Sequence, residues 1–210
     1  MLAWEAELLL YQIDQDVRRF IMNNTTEQFY VMEYLPDDAG SPYFMDKEWS
    51  PELPYYDIFT AQPSATDFSP AYCLRASTTQ LDSDFLVNDN LVSFDFLKLC
   101  EESQVRSIHI PVEVLLLKKK QPKKEYYLFF LLDYIEILDK EKSNYTISQD
   151  IESGLLNTPE TRGLDKTYYD TIDLFIVRKE LKNNLFFCQE LSKPVCSKYF
   201  KEQFETFNLK

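Results

Sequence analysis

His109, four cysteines and a short run of aspartates are the residues of this 210-residue chain whose types could do chemistry. His109 is the single histidine, so any Ser-His-Asp or Cys-His relay has to pass through it. It stands in Ile108-His109-Ile110, a strand-like run in which a period of two places it on one face with Ser107 and Pro111. The chain has no G-x-S-x-G nucleophile elbow, and the reading is a packed or rim histidine. Cys73, Cys100, Cys188 and Cys196 contain no CxxC pair, and Cys100 and Cys188 have apolar neighbours. These are expected to be buried free thiols in a reducing compartment, because a closed zinc site needs four convergent soft ligands. Asp82, Asp84 and Asp89 could together hold a hard cation or share acid–base work, which makes a carboxylate-based metal-dependent hydrolase one alternative reading. The calcium-loop pattern, with its glycine at the sharp turn and its terminal acid, is absent from them, and among 35 acids such clusters arise from composition alone. Gly40, Gly154 and Gly163 are the only glycines and lie far apart, which excludes a glycine-rich phosphate loop and a dinucleotide fingerprint. No metal, cofactor or catalytic set is expected.

The elements that would position these residues follow from apolar periodicity. Leu8, Leu9, Leu10, Ile13, Val17, Phe20 and Ile21 recur at helical spacing and predict an amphipathic helix over 4–22. Gln28–Leu35 reads as a strand, as does Tyr72–Thr79, while Asp84–Asn88 reads as a short strand or turn. Ser93 is a suitable N-cap for a helix over Phe94–Ser103. Ser107–Leu117 and Glu125–Leu138, the most apolar stretches of the chain, read as two central strands. Between them, Lys118-Lys119-Lys120-Gln121-Pro122-Lys123-Lys124 reads as a solvated hairpin tip, since no aromatic or arginine is interleaved to hold a base. Residues 139–170 read as loop, Thr171–Leu181 and Asn184–Leu191 as a hairpin, and Lys193–Cys196 as the lead into a helix capped by Ser197. Val92-Ser93-Phe94-Asp95-Phe96 and Cys196-Ser197-Lys198-Tyr199-Phe200 share a serine followed three residues later by phenylalanine, which the common grammar of helix starts explains. The fold class expected is α+β, with mixed and antiparallel sheets and a few flanking helices. Two packed modules are expected, an acidic one over 1–105 and a hairpin-rich one over 106–210.

Charge is segregated along the chain. Residues 1–100 hold 17 acids against 5 bases and residues 101–210 hold 18 against 17, so nearly all of the net charge of −13 is in the first half. Such a field repels nucleic acid and attracts basic partners. Six of the ten prolines fall in 36–70 beside Tyr43, Phe44, Trp49, Tyr55, Tyr56, Phe59 and Phe68, so this stretch is expected to be ordered but irregular. Aromatics with a charged rim suit an interface. The candidate contact residues are Asp37, Asp38, Asp46, Glu48, Trp49, Tyr55, Tyr56 and Asp57, joined by Asp82, Asp84 and Asp89. The opposing reading is that the aromatics cover the core. The N-terminus lacks a basic n-region, and no apolar run reaches the roughly 18 to 20 residues of a membrane span, so neither a signal peptide nor a membrane partner is expected.

A series of short motifs runs from Ser83 onward. It comprises Asp84-Phe85-Leu86 with Leu91-Val92-Ser93, Ile110-Pro111-Val112, Tyr126-Tyr127-Leu128, and Ile135-Glu136-Ile137-Leu138 leading to Asp139-Lys140-Glu141-Lys142-Ser143. Ile172-Asp173-Leu174-Phe175, Leu185–Glu190 and Val195-Cys196-Ser197 before Phe200-Lys201 complete it. In this order the chain resembles a two-module family of bacterial immunity proteins from polymorphic toxin systems. The resemblance does not extend before residue 80. It also implies a glycine and an aromatic strand beyond the last helix, where this sequence ends in Asn208-Leu209-Lys210 and so is expected to be trimmed. The resemblance implies a cytoplasmic, non-enzymatic protein that binds a cognate toxin C-terminal domain and occludes or distorts its active site. A basic toxin, such as a nuclease or a nucleotide-targeting enzyme, would be steered to the acidic half. The third reading is a non-catalytic adaptor for another basic partner.

Overall fold

The two most apolar stretches of the sequence form the middle of a sheet, where each has a hydrogen-bonded neighbour on both sides. The computed structural model describes residues 28–34, 36–37, 40–42, 45–55, 62–178 and 181–210, and the helix expected over 4–22 lies outside the described residues. In chain order the elements are β1 (Phe29–Val31), β2 (Lys47–Ser50), β3 (Tyr72–Ala76), β4 (Phe85–Leu86), β5 (Leu91–Ser93), α1 (Phe94–Glu102), β6 (Ser107–Leu115) and β7 (Tyr126–Leu131). Then follow β8 (Tyr134–Ile135), β9 (Asn144–Ile147), α2 (Pro159–Arg162), β10 (Tyr169–Leu174), β11 (Leu185–Cys188), β12 (Lys193–Ser197) and α3 (Lys198–Thr206). The fold is α+β, with mixed and antiparallel sheets.

One sheet has the strand order β2-β3-β6-β7-β5-β4 and is antiparallel except between β3 and β6. A second, β1-β12-β11-β8, is antiparallel except between β11 and β8, and β9 pairs with β10 in a two-stranded ribbon. The pleat sorts side chains between core layers. In β7, Tyr126, Leu128 and Phe130 join a cluster with Leu74, Ile110, Val112 and Val114, while Phe129 and Leu131 face the other way. That opposite layer is shared by both larger sheets. It contains Phe85 and Val92, Phe96, Leu99 and Cys100 of α1, Phe200 and Phe204 of α3, and Leu185, Phe187 and Cys196 of the second sheet. A third layer, with Phe186, Cys188 and Val195, packs the far face of the second sheet against Phe175 and Ile172.

Two expectations about strands are corrected by this architecture, and the expected module boundary has a definite place in it. A division at 105/106 falls inside the six-stranded sheet, where β6 and β7 lie between β3 and β5. The strand expected to run to Leu138 stops at Leu131, where Leu132 N donates to Arg106 O at 3.0 Å and the chain crosses to the second sheet as β8. β10 and β11 do not pair with each other: β10 takes β9, from the stretch read as loop, and β11 takes β12 and β8. Alternation marks a segment as a strand without naming its partner, and here the partners were chosen by packing across the sheets.

The short echo around the two helix starts extends much further in three dimensions. Ser93 N donates to Asp84 O at 2.9 Å and Ser197 N to Asn184 O at 2.8 Å. Each serine hydroxyl donates to the side-chain Oδ1 of the same residue, Asp84 or Asn184, and accepts from the third helical N–H, of Phe96 (3.1 Å) or Phe200 (3.2 Å). β4 and β11 enter with the same register, Phe85 opposite Val92 and Leu185 opposite Cys196. The flanking strands match too: Phe94 N donates to Glu125 O beside β7, and Lys198 N to Gln28 O beside β1. Both helices span nine residues and end in a left-handed residue, Gln104 (φ 56°) or Asn208 (φ 54°). The two units therefore share one plan, built on Leu81–Val105 and on Leu181–Leu209. Their helices meet through Phe96, whose ring lies 6.0 Å from that of Phe200 and 6.2 Å from that of Phe204, both edge-on.

That contact can be tested by a double-mutant cycle. Phe96→Ala and Phe200→Ala are each expected to cost about 3–5 kcal/mol. The double variant should fall short of additivity by about 0.5–1.5 kcal/mol in denaturant unfolding, and strict additivity would show the rings to be uncoupled.

Candidate binding surface

The two stretches expected to contact a partner are brought side by side. Asp82 N donates to Gly40 O at 2.9 Å, and Lys47 of β2 forms an ion pair with Asp89. Gly40 is required there: its φ is +123°, and a Cβ would sit 2.6 Å from Asp82 Cβ. The individual side chains then divide by role.

Asp84 is not part of the surface. It is 1% exposed, and its carboxylate is fully engaged: Oδ1 accepts from Ser93 Oγ, while Oδ2 accepts from Lys124 Nζ at 2.7 Å and from Lys210 N at 2.8 Å. Its backbone N–H donates to Lys210 O at 2.7 Å. Next to it, Tyr126 Oη donates to Ser83 O at 3.0 Å, and burial, with Asp84 and Asp82 adding to it, pushes the phenol above its ordinary range. Asp82 is half-buried, with Lys210 Nζ bonded to Oδ2 and Lys124 Nζ 3.6 Å from Oδ1. Burial pushes its pKa up, but the two lysines outweigh this and hold it below the usual carboxylate range. Lys124 therefore turns inward, where a solvated lysine was expected. Asp37 is half-buried and clamps a turn, its Oδ1 accepting from Ser41 N at 3.0 Å. Tyr34 Oη, donating to Pro42 O at 2.8 Å, has its pKa raised by burial and then by Asp89 and Asp37, which places all three in one neighbourhood.

Trp49 also points inward, edge-on to Tyr72 at 6.1 Å, and Phe68 stacks on Phe130 at 4.6 Å. Among the described aromatics of 36–70 these two cover the core, whereas Tyr55 is 96% exposed. Asp38, Tyr43, Phe44, Tyr56, Asp57 and Phe59 lie outside the described residues. What reaches solvent is a strip along β2 and the segment after it: Asp46, Glu48, Glu52 and Tyr55. Glu48 meets Arg75 at 3.4 Å, but both side chains are about seventy per cent exposed, so this pair leaves Glu48 largely to the solvent.

The other chemistry-bearing residues have structural partners. His109 is exposed on β6, its ring edge-on to Tyr127 at 6.2 Å. Asp139 and Ser143 close a turn: Ser143 N donates to Asp139 O at 2.9 Å, and Ser143 Oγ accepts from Ile176 N at 2.9 Å. Among the described residues no group of three or more His, Cys, Asp and Glu side chains could hold a metal ion, and no helix is long and apolar enough to cross a membrane. Burial raises the pKa of the Cys100, Cys188 and Cys196 thiols, with Glu101 adding at Cys100 and Glu190 adding at Cys188. Sequence reasoning missed Lys124 and Lys210 as partners of Asp84, since nothing local marks residues 40 and 126 positions away. No family model matches the chain, and no curated protein matches it.

Two outcomes follow from these placements. Asp84→Ala, which takes the shared acceptor from Ser93 Oγ, Lys124 Nζ and Lys210 N at a buried position, is expected to cost about 3–5 kcal/mol in chemical denaturation. A loss under about 1 kcal/mol would mean that the carboxylate is not what joins these segments. Thiol titration at pH 8 should find only Cys73 reacting promptly in the native protein, and all four cysteines after unfolding, because thiolate formation at the other three is suppressed.

Proposed function

We propose that the chain is an immunity protein that works in the cytoplasm, binding a cognate toxin domain and blocking its active site. The observation that carries this reading is the solvent-facing strip of Asp46, Glu48, Glu52 and Tyr55 on the edge of a rigid sheet, in the half of the chain that holds nearly all the net negative charge. An acidic edge mounted on a packed sheet loses little conformational freedom on binding and steers a basic partner into place. The motif order from Ser83 to Lys201 agrees with it. A toxin domain with a basic cleft, acting on nucleic acid or nucleotides, is the partner this chemistry favours. The pairing of Asp82, Asp84 and Asp89 with lysines weighs against a carboxylate hydrolase, since the three carboxylates are already neutralised by side chains of the protein.

Co-expression with the product of the gene immediately upstream, followed by size exclusion, tests the reading. A stable one-to-one complex together with rescued growth is expected, and the absence of both would end it. Within such a complex, Asp46→Lys combined with Glu48→Lys should slow association by roughly tenfold at low salt, the deficit shrinking as salt rises. Unchanged association would move the contact elsewhere.

A further inference from the structure

The segment between β9 and α2 is a small hairpin whose tip is apolar. Gln149 pairs with Leu156, Asp150 N donates to Leu155 O at 2.9 Å, and Gly154 N donates to Asp150 O at 2.8 Å. Asp150 also organises the tip through its side chain: Oδ1 accepts from Ser153 N (2.8 Å) and Ser153 Oγ (2.7 Å), and Oδ2 lies 3.0 Å from Arg162 Nη2. Arg162 Nη1 reaches Asn157 Oδ1, and Asn157 Nδ2 donates to Ser148 Oγ at 2.9 Å, so the base of the hairpin is tied to α2. On this braced turn Ile151 is 100% exposed, Leu155 49% and Leu156 38%. Single exposed apolar residues are ordinary, but three on one braced six-residue turn are not explained by the fold, which none of them helps to bury.

The segment that carries the tip is acidic, with Lys140 the base that acts on its Glu160 from outside it. Residues 148–170 hold five acids and two bases. Of the bases, Arg162 is bound to Asp150, and Lys166 is buried, donating to Gln189 O and Ser192 Oγ. Glu152, Glu160, Asp165 and Asp170 are exposed. An apolar anchor within an acidic rim is complementary to an apolar cleft edged by lysine or arginine.

We propose that Ile151, with Leu155 and Leu156, inserts into such a cleft on the toxin domain and determines how long the complex lasts, while the acidic strip of β2 sets how fast it forms. This assignment rests on the immunity reading. The bracing by Asp150 and Arg162 matters because a preformed turn loses little entropy when it is bound. Apolar anchors act chiefly on dissociation and long-range charge acts on association, so the two surfaces have separable kinetic signatures.

The test measures the kinetics of the wild type and of Ile151→Ser with Leu155→Ser, a neutral pair of changes, against the purified product of the upstream gene. Dissociation at least about tenfold faster, with association changed less than about twofold, is the expected result. If the wild type forms the complex and the variant dissociates at the same rate, the tip assignment is wrong and the immunity reading stands. If the wild type forms no complex, both fail together. Amide exchange in the wild-type complex gives a reading independent of the variant's folding: 150–156 should gain protection on binding, and unchanged exchange there would overturn the proposal.

Discussion

A carboxylate that is 1% exposed must have its charge and its lone pairs met within the protein, and Asp84 meets them with groups drawn from three other parts of the chain. Ser93 belongs to the start of α1, Lys124 to the approach to β7, Lys210 to the segment after α3, and Asp84 itself opens β4. Misplacing any one of them leaves a buried charge short of a partner. The penalty for being nearly right is therefore large, and this gives the arrangement its definition. Through Lys124 and Lys210 the requirement reaches Asp82, and through Asp82 N it reaches Gly40, so the irregular acidic segment is registered against the sheet by the same network.

The second unit meets the corresponding requirement with an amide. Asn184 holds Ser197 as Asp84 holds Ser93, but its Nδ2 donates to Ser103 O at 2.9 Å, at the end of the first unit's helix. Asp84, in return, bonds Lys210 beyond the second unit's helix. Each unit thus anchors the other near the C-terminal end of its helix, and the phenylalanines of α1 and α3 fill the space between. A carboxylate is needed at 84 because a lysine arrives there, whereas the group facing residue 184 is a carbonyl, which requires a donor.

This internal bracing bears on the immunity reading. An inhibitor that presents its contacts on a rigid body binds without first ordering itself. Both surfaces assigned a part in binding rise from braced elements: the β2 edge, paired to β3 and followed by Pro51, and the Asp150 hairpin tied to α2. The lysines that neutralise Asp82, Asp84 and Asp89 remove those acids from the available charge, so the effective acidic face is narrower than the composition suggests.

Local chemistry determined a good deal of this protein without help from the fold. Ser93 and Ser197 announce their helices, because a serine before an apolar-periodic run has free N–H groups to satisfy within three residues. The alternation of Ser107–Leu115 marks a strand with one buried face, and the continuous apolar run Tyr126–Leu131 marks one packed on both faces; together they identify a central hairpin. Scarce glycine and a lone histidine restrict the chemistry for equally local reasons. The sequence echo covered only five residues of the repeated plan, since β4 and β5 are shorter strands than β11 and β12: Asp84 stands 9 positions before Ser93 but Asn184 stands 13 before Ser197, and so the common spacing is lost upstream of the serines. Which strands pair, and which carboxylates remain available to a partner, were decided by tertiary structure. Asp84 and Asp46 are the same residue type in an acidic half of the chain, yet one is buried against a lysine 40 positions away and the other faces water. The difference arises from desolvation and from long-range pairing, neither of which exists until the chain has folded.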